Sequence, residues 1–134
     1  MRFMVMAMGT KEMEAAPPPK PEAFVAMQQY NEKLAKAGVL LAAEGLAPSS
    51  KATRITFRDD ERIVVDGPFT EAKEFIAGFV ILKVDSKEEA IEWVKRAPFY
   101  SPTGEAHVEI RKLMDIEDFG EGFVPNEEIA KVKY

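Results

Sequence analysis

The ten residues "FIAGFVILKV", Phe75 to Val84, constrain the fold more than any other stretch of the chain. They are apolar at odd and even positions alike, so a strand made of them buries both of its faces. A central strand follows, and Gly78 within it marks a bulge or a close approach of another backbone. Phe3 to Met8 is a second continuous apolar run, closed by Gly9, whose three methionines suit either core filling or a soft pocket wall. "VLLAAEGL", Val39 to Leu46, reads as a third buried strand. "ATRITFRD", Ala52 to Asp59, instead alternates Thr53, Ile55 and Phe57 with Arg54, Thr56 and Arg58, the period of a half-exposed strand. "DDER" turns it into Ile63 to Asp66 as a hairpin, and Ala106 to Leu113 forms the last strand.

Two helices fit between these strands. Ala23, Met27, Tyr30, Leu34 and Ala37 recur at spacings that build one apolar stripe from Pro21 onward, and Gly38 ends it. The preceding "EMEAAPPPKPE" reads as a loop, because clustered prolines remove donors and forbid a helix interior. "SKEE" is a capping box in which Ser86 accepts from the Glu89 amide while Glu89 reaches back. Ala90, Trp93, Val94 and Ala97 supply the stripe of that second helix, and Pro98 stops it. With the hairpin set aside, the order is the βαββαβ arrangement of an α+β ferredoxin-like domain, an antiparallel sheet with both helices on one face. The other face then lacks cover, and a second copy of the chain is its simplest source, so a homodimer is expected. The acidic, glycine-containing tail "DIEDFGEGFVPNEE" carries Phe119 and Phe123 as anchors for packing on that partner.

At 134 residues and 46% hydrophobic content, one domain can bury a core without staples. The formal net charge of -5 argues against a general grip on nucleic acid or anionic lipid. The chain has no cysteine, which excludes disulfides and thiolate chemistry and fits a reducing cytoplasm. No signal-peptide core and no apolar run of the ~20 residues a membrane helix needs is present. With a single histidine and no EF-hand spacing, no metal site is expected. Phosphate loops, nucleophile elbows and dinucleotide fingerprints are absent, and no cofactor is expected.

The chemistry concentrates in two places. His107, Glu109 and Arg111 alternate along the last strand and so share one face, joining a titratable base, a carboxylate and a guanidinium. That face reads as a ligand pocket for a polar or anionic small molecule, as a polar network in a dimer interface, or as a solvated edge. The second place is "DGPFTEAKE", residues 66 to 74. Asp66 can fold onto nearby amides as an Asx-type turn, and Pro68 sets the backbone so that Phe69 can plug the core. If the chain then runs extended, Lys73 shares a face with Phe75 and Glu74 with Ile76; a helical turn would instead bring Glu71 and Glu74 together. The stretch is either a structural turn with ion pairs or the edge of a site. Exposed ion pairs add only about 0 to 1 kcal/mol each, which tilts the reading toward the site. Glu44, at a strand end before Gly45, is either solvated or a further acidic wall residue.

"EGLAPS" (Glu44 to Ser49), "VVDGPFTEAKEFIAGFVILKVDSKEEAIEWVKRAPF" (Val64 to Phe99) and "GEAHVEIRKL" (Gly104 to Leu113) resemble, in order and spacing, the DGPF branch of the YCII-related family. The likeness spans most of residues 1–113 and leaves 114–134 as a C-terminal extension. It implies a dimeric α+β barrel of ferredoxin-like subunits, with polar residues in a cleft between sheet and partner. It also implies a small bacterial cytoplasmic protein of no settled reaction, some relatives being associated with extracytoplasmic-function sigma factors. Thr70, Ala72 and Lys112 depart from the commoner residues of the motif and of the last strand. Another branch of the family is linked to a histidine–aspartate pair that needs an early histidine, and His107 stands too late to carry it over. The resulting expectation is a small-molecule-binding protein or cryptic enzyme with Glu44, Asp66, Lys73, Glu74, Glu109 and Arg111 around a cleft and His107 as acid or base. The alternative is a regulatory module that contacts a protein such as a sigma factor.

Overall fold

The computed structural model describes residues 1–132; the last two residues of the expected 114–134 extension lie outside the described residues. Strand β1 (Arg2–Gly9) leads into a short helix α1 (Lys11–Ala15), then α2 (Pro21–Lys36), β2 (Leu40–Gly45), the hairpin β3 (Thr53–Arg58) and β4 (Glu61–Asp66), β5 (Phe75–Lys83), α3 (Lys87–Lys95) and β6 (Val108–Lys112). The tail carries a 3-10 turn, Ile116–Phe119, and a short helix α4 (Glu127–Ala130). Four strands pair antiparallel in the order β2-β5-β1-β6, and β3-β4 form a separate two-stranded sheet. The larger sheet is open, not a closed barrel, among the described residues.

The core lies on one face of that sheet. Phe3 and Val5 of β1 and Leu82 of β5 meet Tyr30 and Leu34 of α2 and Ala90 of α3, with Trp93, Val94, Val108 and Ile110 packed around them. Leu34 is 0% exposed, and full burial of a side chain of this kind stabilises by about 1.5–3 kcal/mol. The Tyr30 hydroxyl donates to the Trp93 carbonyl at 2.7 Å, tying α2 to α3. Burial pushes its phenol pKa up, and the Arg96 charge works against that shift. The expected stripe of α2 holds at Tyr30 and Leu34, but Ala37 is exposed, because it is already the C-cap and has left the helical face. Gly38 follows with φ 75, the left-handed position that terminates a helix at little cost.

Several local expectations are corrected. Lys11–Ala15 is helical, not loop: the Thr10 hydroxyl accepts from the Met13 amide at 3.2 Å, and the prolines begin only after the C-cap at Ala16. In the α3 cap Ser86 accepts from the Glu89 amide at 3.1 Å, whereas the Glu89 carboxylate reaches the Asp85 amide at 2.9 Å, one residue beyond the box. Around Gly78 a bulge and a close approach occur together. β5 carries an unpaired Ala77 between the partners Ala7–Gly78 and Met8–Ile76, and a Cβ on Gly78 would lie 3.0 Å from the Glu44 carbonyl oxygen. The hairpin turns at Asp59-Asp60, but it exposes apolar side chains on both of its faces; Phe57 is 69% exposed. In the tail, Phe119 and Phe123 stack on one another with centroids 4.5 Å apart and remain exposed.

Candidate functional site

The site begins with strand alternation. Since Phe3 and Val5 point toward the helices, Met4, Met6 and Met8 of β1 point to the opposite, distal face. Register extends this into rows across all four strands. Glu44 stands opposite Phe79, Phe79 opposite Met6, and Met6 opposite Glu109. The next row runs Ala42, Ile81, Met4 and Arg111. The distal face therefore has an apolar centre, with Glu44 at the β2 edge and Glu109 and Arg111 at the β6 edge. Three interstrand steps of about 4.8 Å put the two edges roughly 14 Å apart, so Glu44 does not join the β6 residues at one atom.

At the end of β1 the two chemical stretches meet. His107, two residues before Glu109, shares its face, and its carbonyl accepts from the Met8 amide at 3.2 Å. Glu74 precedes Phe75, which pairs with Gly9, and so faces the same way as Ile76 and Met8. The His107 Nε2 and the Glu74 Oε2 are 2.6 Å apart, with side chains 51% and 43% exposed. A carboxylate at this distance fixes the orientation of the imidazole by accepting its N–H. The pair therefore presents a positioned imidazole and a carboxylate at a solvent-accessible place. Glu109 and Arg111 make no side-chain hydrogen bond or ion pair among the described residues, which leaves both groups free for a ligand.

The rest of the motif does structural work. Glu71 pairs with Arg54 of β3, and that hydrogen-bonded guanidinium holds the Glu71 carboxyl below the usual carboxylate range. Arg54 also lies over the Phe69 ring, 3.9 Å from its centroid. Asp66 makes no Asx turn; its Oδ1 accepts from the Thr53 hydroxyl at 3.2 Å across the hairpin base, because β4 runs through Asp66 and keeps it extended. Phe69 does not plug the core either: it is held beneath Arg54 and lines a cavity. Lys73 is exposed and without a side-chain partner among the described residues. Of the expected residues, then, the structure brings Glu74 and His107 together and places Glu44, Glu109 and Arg111 on their face. Asp66 and Lys73 are not gathered with them.

Sequence reasoning missed the cavity itself. It measures about 700 Å³ and is walled by α1, the proline segment, the 3-10 turn Ser49–Lys51, the motif residues Phe69 and Ala72, and Phe75 of β5. None of the seven expected site residues lines it. The available signal was the apolar half of "DGPFTEAKE", which the charges overshadowed. Among the described residues no three of His, Asp and Glu gather as a metal cluster, and no helix is long and apolar enough to cross a membrane.

Residues 1–116 match the YCII-related domain. An uncharacterized protein of Rhizobium meliloti (strain 1021) is 32% identical over 87 residues, which cover 65% of this chain and 69% of that protein.

Proposed function

The chain belongs to the YCII-related domain family, and from that premise we propose that it is a cytoplasmic small-molecule-binding protein of the DGPF branch. It holds a polar or anionic ligand between the distal sheet face and a second copy, with His107 as acid or base. The observation that carries this reading is the 2.6 Å His107–Glu74 pair on the face that also presents Glu109 and Arg111. Arg111 supplies a forked cation for a carboxylate or phosphate, and the pair supplies a transferable proton beside it. The strand order supports the ferredoxin-like arrangement, and the half-buried Met4, Met6, Met8 and Phe79 support self-association through this face. Stacking two such sheets would enclose the polar edge in a cleft, as the two halves of a dimeric α+β barrel do.

The test is a thermal-shift screen of the protein against small anionic and polar metabolites, since a ligand that binds only the folded state raises Tm. The expected outcome is a hit that is lost in both His107→Ala and Arg111→Ala, with the ligand-free Tm of each variant within about 2 °C of the parent. A hit that survives both substitutions, or variants that lose several degrees without ligand, would sink this reading and make the residues structural.

A further inference from the structure

The 700 Å³ cavity adjoins the end of β1, and neither His107 nor Glu74 lines it. Gly9 and Phe75, which pair with each other one position beyond Met8 and Ile76, line it together with Ile76 and Ala77. Its size falls in the range of about 300–1,000 Å³ usual for small-molecule sites. Flat apolar walls dominate: the rings of Phe69, Phe75 and Tyr100 and the run Pro17 to Pro19. These walls are held apart by polar ties and are not free to collapse. The Glu14 carboxylate accepts from the Ser49 amide at 2.7 Å and from the Ser49 hydroxyl, joining α1 to the 3-10 turn. Lys11 donates to the Thr70 carbonyl, joining α1 to the motif. A glycine keeps the wall close-packed at the end of β1: a Cβ on Gly9 would lie 2.8 Å from the Phe75 ring.

The charges at the lining are unequal. Glu14 is occupied by Ser49, and Lys11 by Thr70 with the Glu71 charge nearby. Lys51 has no carboxylate or carbonyl partner among the described residues. We infer that this cavity is a second binding site, for a planar apolar molecule bearing a single anionic group, with the ring stacked between the proline run and the aromatic wall and the anion at Lys51. Aromatic and proline surfaces favour a flat ring, and the unpaired ammonium selects an anion over its neutral isostere.

The probe is 2-naphthoate, with 2-naphthamide as the uncharged isostere, followed by amide chemical shifts of the full-length protein. Saturable shifts of Gly9, Leu46, Ser49 and Phe75 are expected, with 2-naphthoate about fivefold tighter than the amide, the span an exposed ion pair supplies. Lys51→Met should abolish that preference without altering the fold, and Ala72→Trp should fill the cavity and abolish binding of both probes. His107→Ala should leave both affinities unchanged, which separates this site from the distal face. No saturation at millimolar probe, shifts confined to His107, Glu109 and Arg111, or a preference unchanged in Lys51→Met would each overturn the inference. So would lining shifts that follow protein dilution instead of probe, because a second copy would then be the occupant.

Discussion

Gly67 carries as much of the DGPF motif as its charges do. Its amide donates to the Ala52 carbonyl at 2.7 Å, and an added Cβ would meet the Ser49 carbonyl at 2.7 Å and the Ala52 carbonyl at 3.1 Å. Both obstacles are backbone atoms that cannot swing away. Gly67→Ala is therefore expected to lower stability by about 1–3 kcal/mol in urea titration, as overpacking does. Gly45→Ala, where nothing lies within 4 Å of the added atom, should stay within about 0.5 kcal/mol. Equal effects would mean that the loss belongs to glycine's flexibility and not to the contact. The neighbouring charges have divided tasks: Glu71 clamps Arg54, Glu74 holds His107, and Lys73 stays in solvent.

Among the elements, α3 is the one whose start is written most plainly in the residues. Ser86 and Glu89 satisfy two backbone amides at its N-terminus. Ser86→Ala should cost about 1 kcal/mol, measured as a lower denaturation midpoint at unchanged slope. An unchanged midpoint would show that tertiary packing alone sets this end of the helix. The 3-10 turn of the tail is held to β6 by a different device. Lys112 lies 2.7 Å from Asp118 and 3.2 Å from Asp115. The hydrogen bond from Lys112 holds the Asp118 carboxyl below its ordinary 3.8, and the bonds to Asp118 and Asp115 push the Lys112 ammonium above its ordinary 10.5. A depressed carboxyl stabilises above its unfolded pKa and loses that contribution as pH falls through the folded one. A raised ammonium stabilises below its unfolded pKa and loses it as pH rises through the folded one. Docking of Ile116–Phe119 is thus expected to be constant between those limits and to fail on the acid side of 3.8 and the alkaline side of 10.5. Amide exchange of Asp118 checks this. Uniform protection across both limits would assign the docking to apolar contact, as would protection that survives Lys112→Met.

For the whole molecule, two apolar surfaces of sheet and hairpin stay uncovered among the described residues after the helices have covered one side of the sheet. One is the distal row of Met6 and Phe79, flanked by Glu44 and Glu109; the other is the exposed Ile55, Phe57 and Val64 of the hairpin. An isolated two-stranded hairpin is marginal in water, so packing on a partner would stabilise it. The proposed homodimer predicts that Met6→Glu lowers the sedimentation mass from two chains to one while the helical circular dichroism stays the same. A mass of one chain for the parent, or of two for the variant, would contradict association through this face.

Much of the architecture followed from local rules. Phe75 to Val84 had to be a central strand because apolar residues at both parities demand cover on both faces, and β5 indeed lies between β1 and β2. The α2 stripe, the Ser86 cap and the stop at Gly38 follow from the 3.6-residue period and from the unsatisfied amides and carbonyls of helix ends. Alternation likewise put His107, Glu109 and Arg111 on one face. What alternation along one strand cannot state is which residue of another strand arrives beside it. That depends on register, and the unpaired Ala77 of β5 shifts the register where the strand approaches Glu74. The His107–Glu74 contact was decided there, the Asp66–Thr53 bond by the register of the β3–β4 hairpin, and the seat of Phe69 in the cavity wall by Arg54 above it. Each is a contact between different segments of the chain, set by how those segments pair and pack and not by any period within one of them.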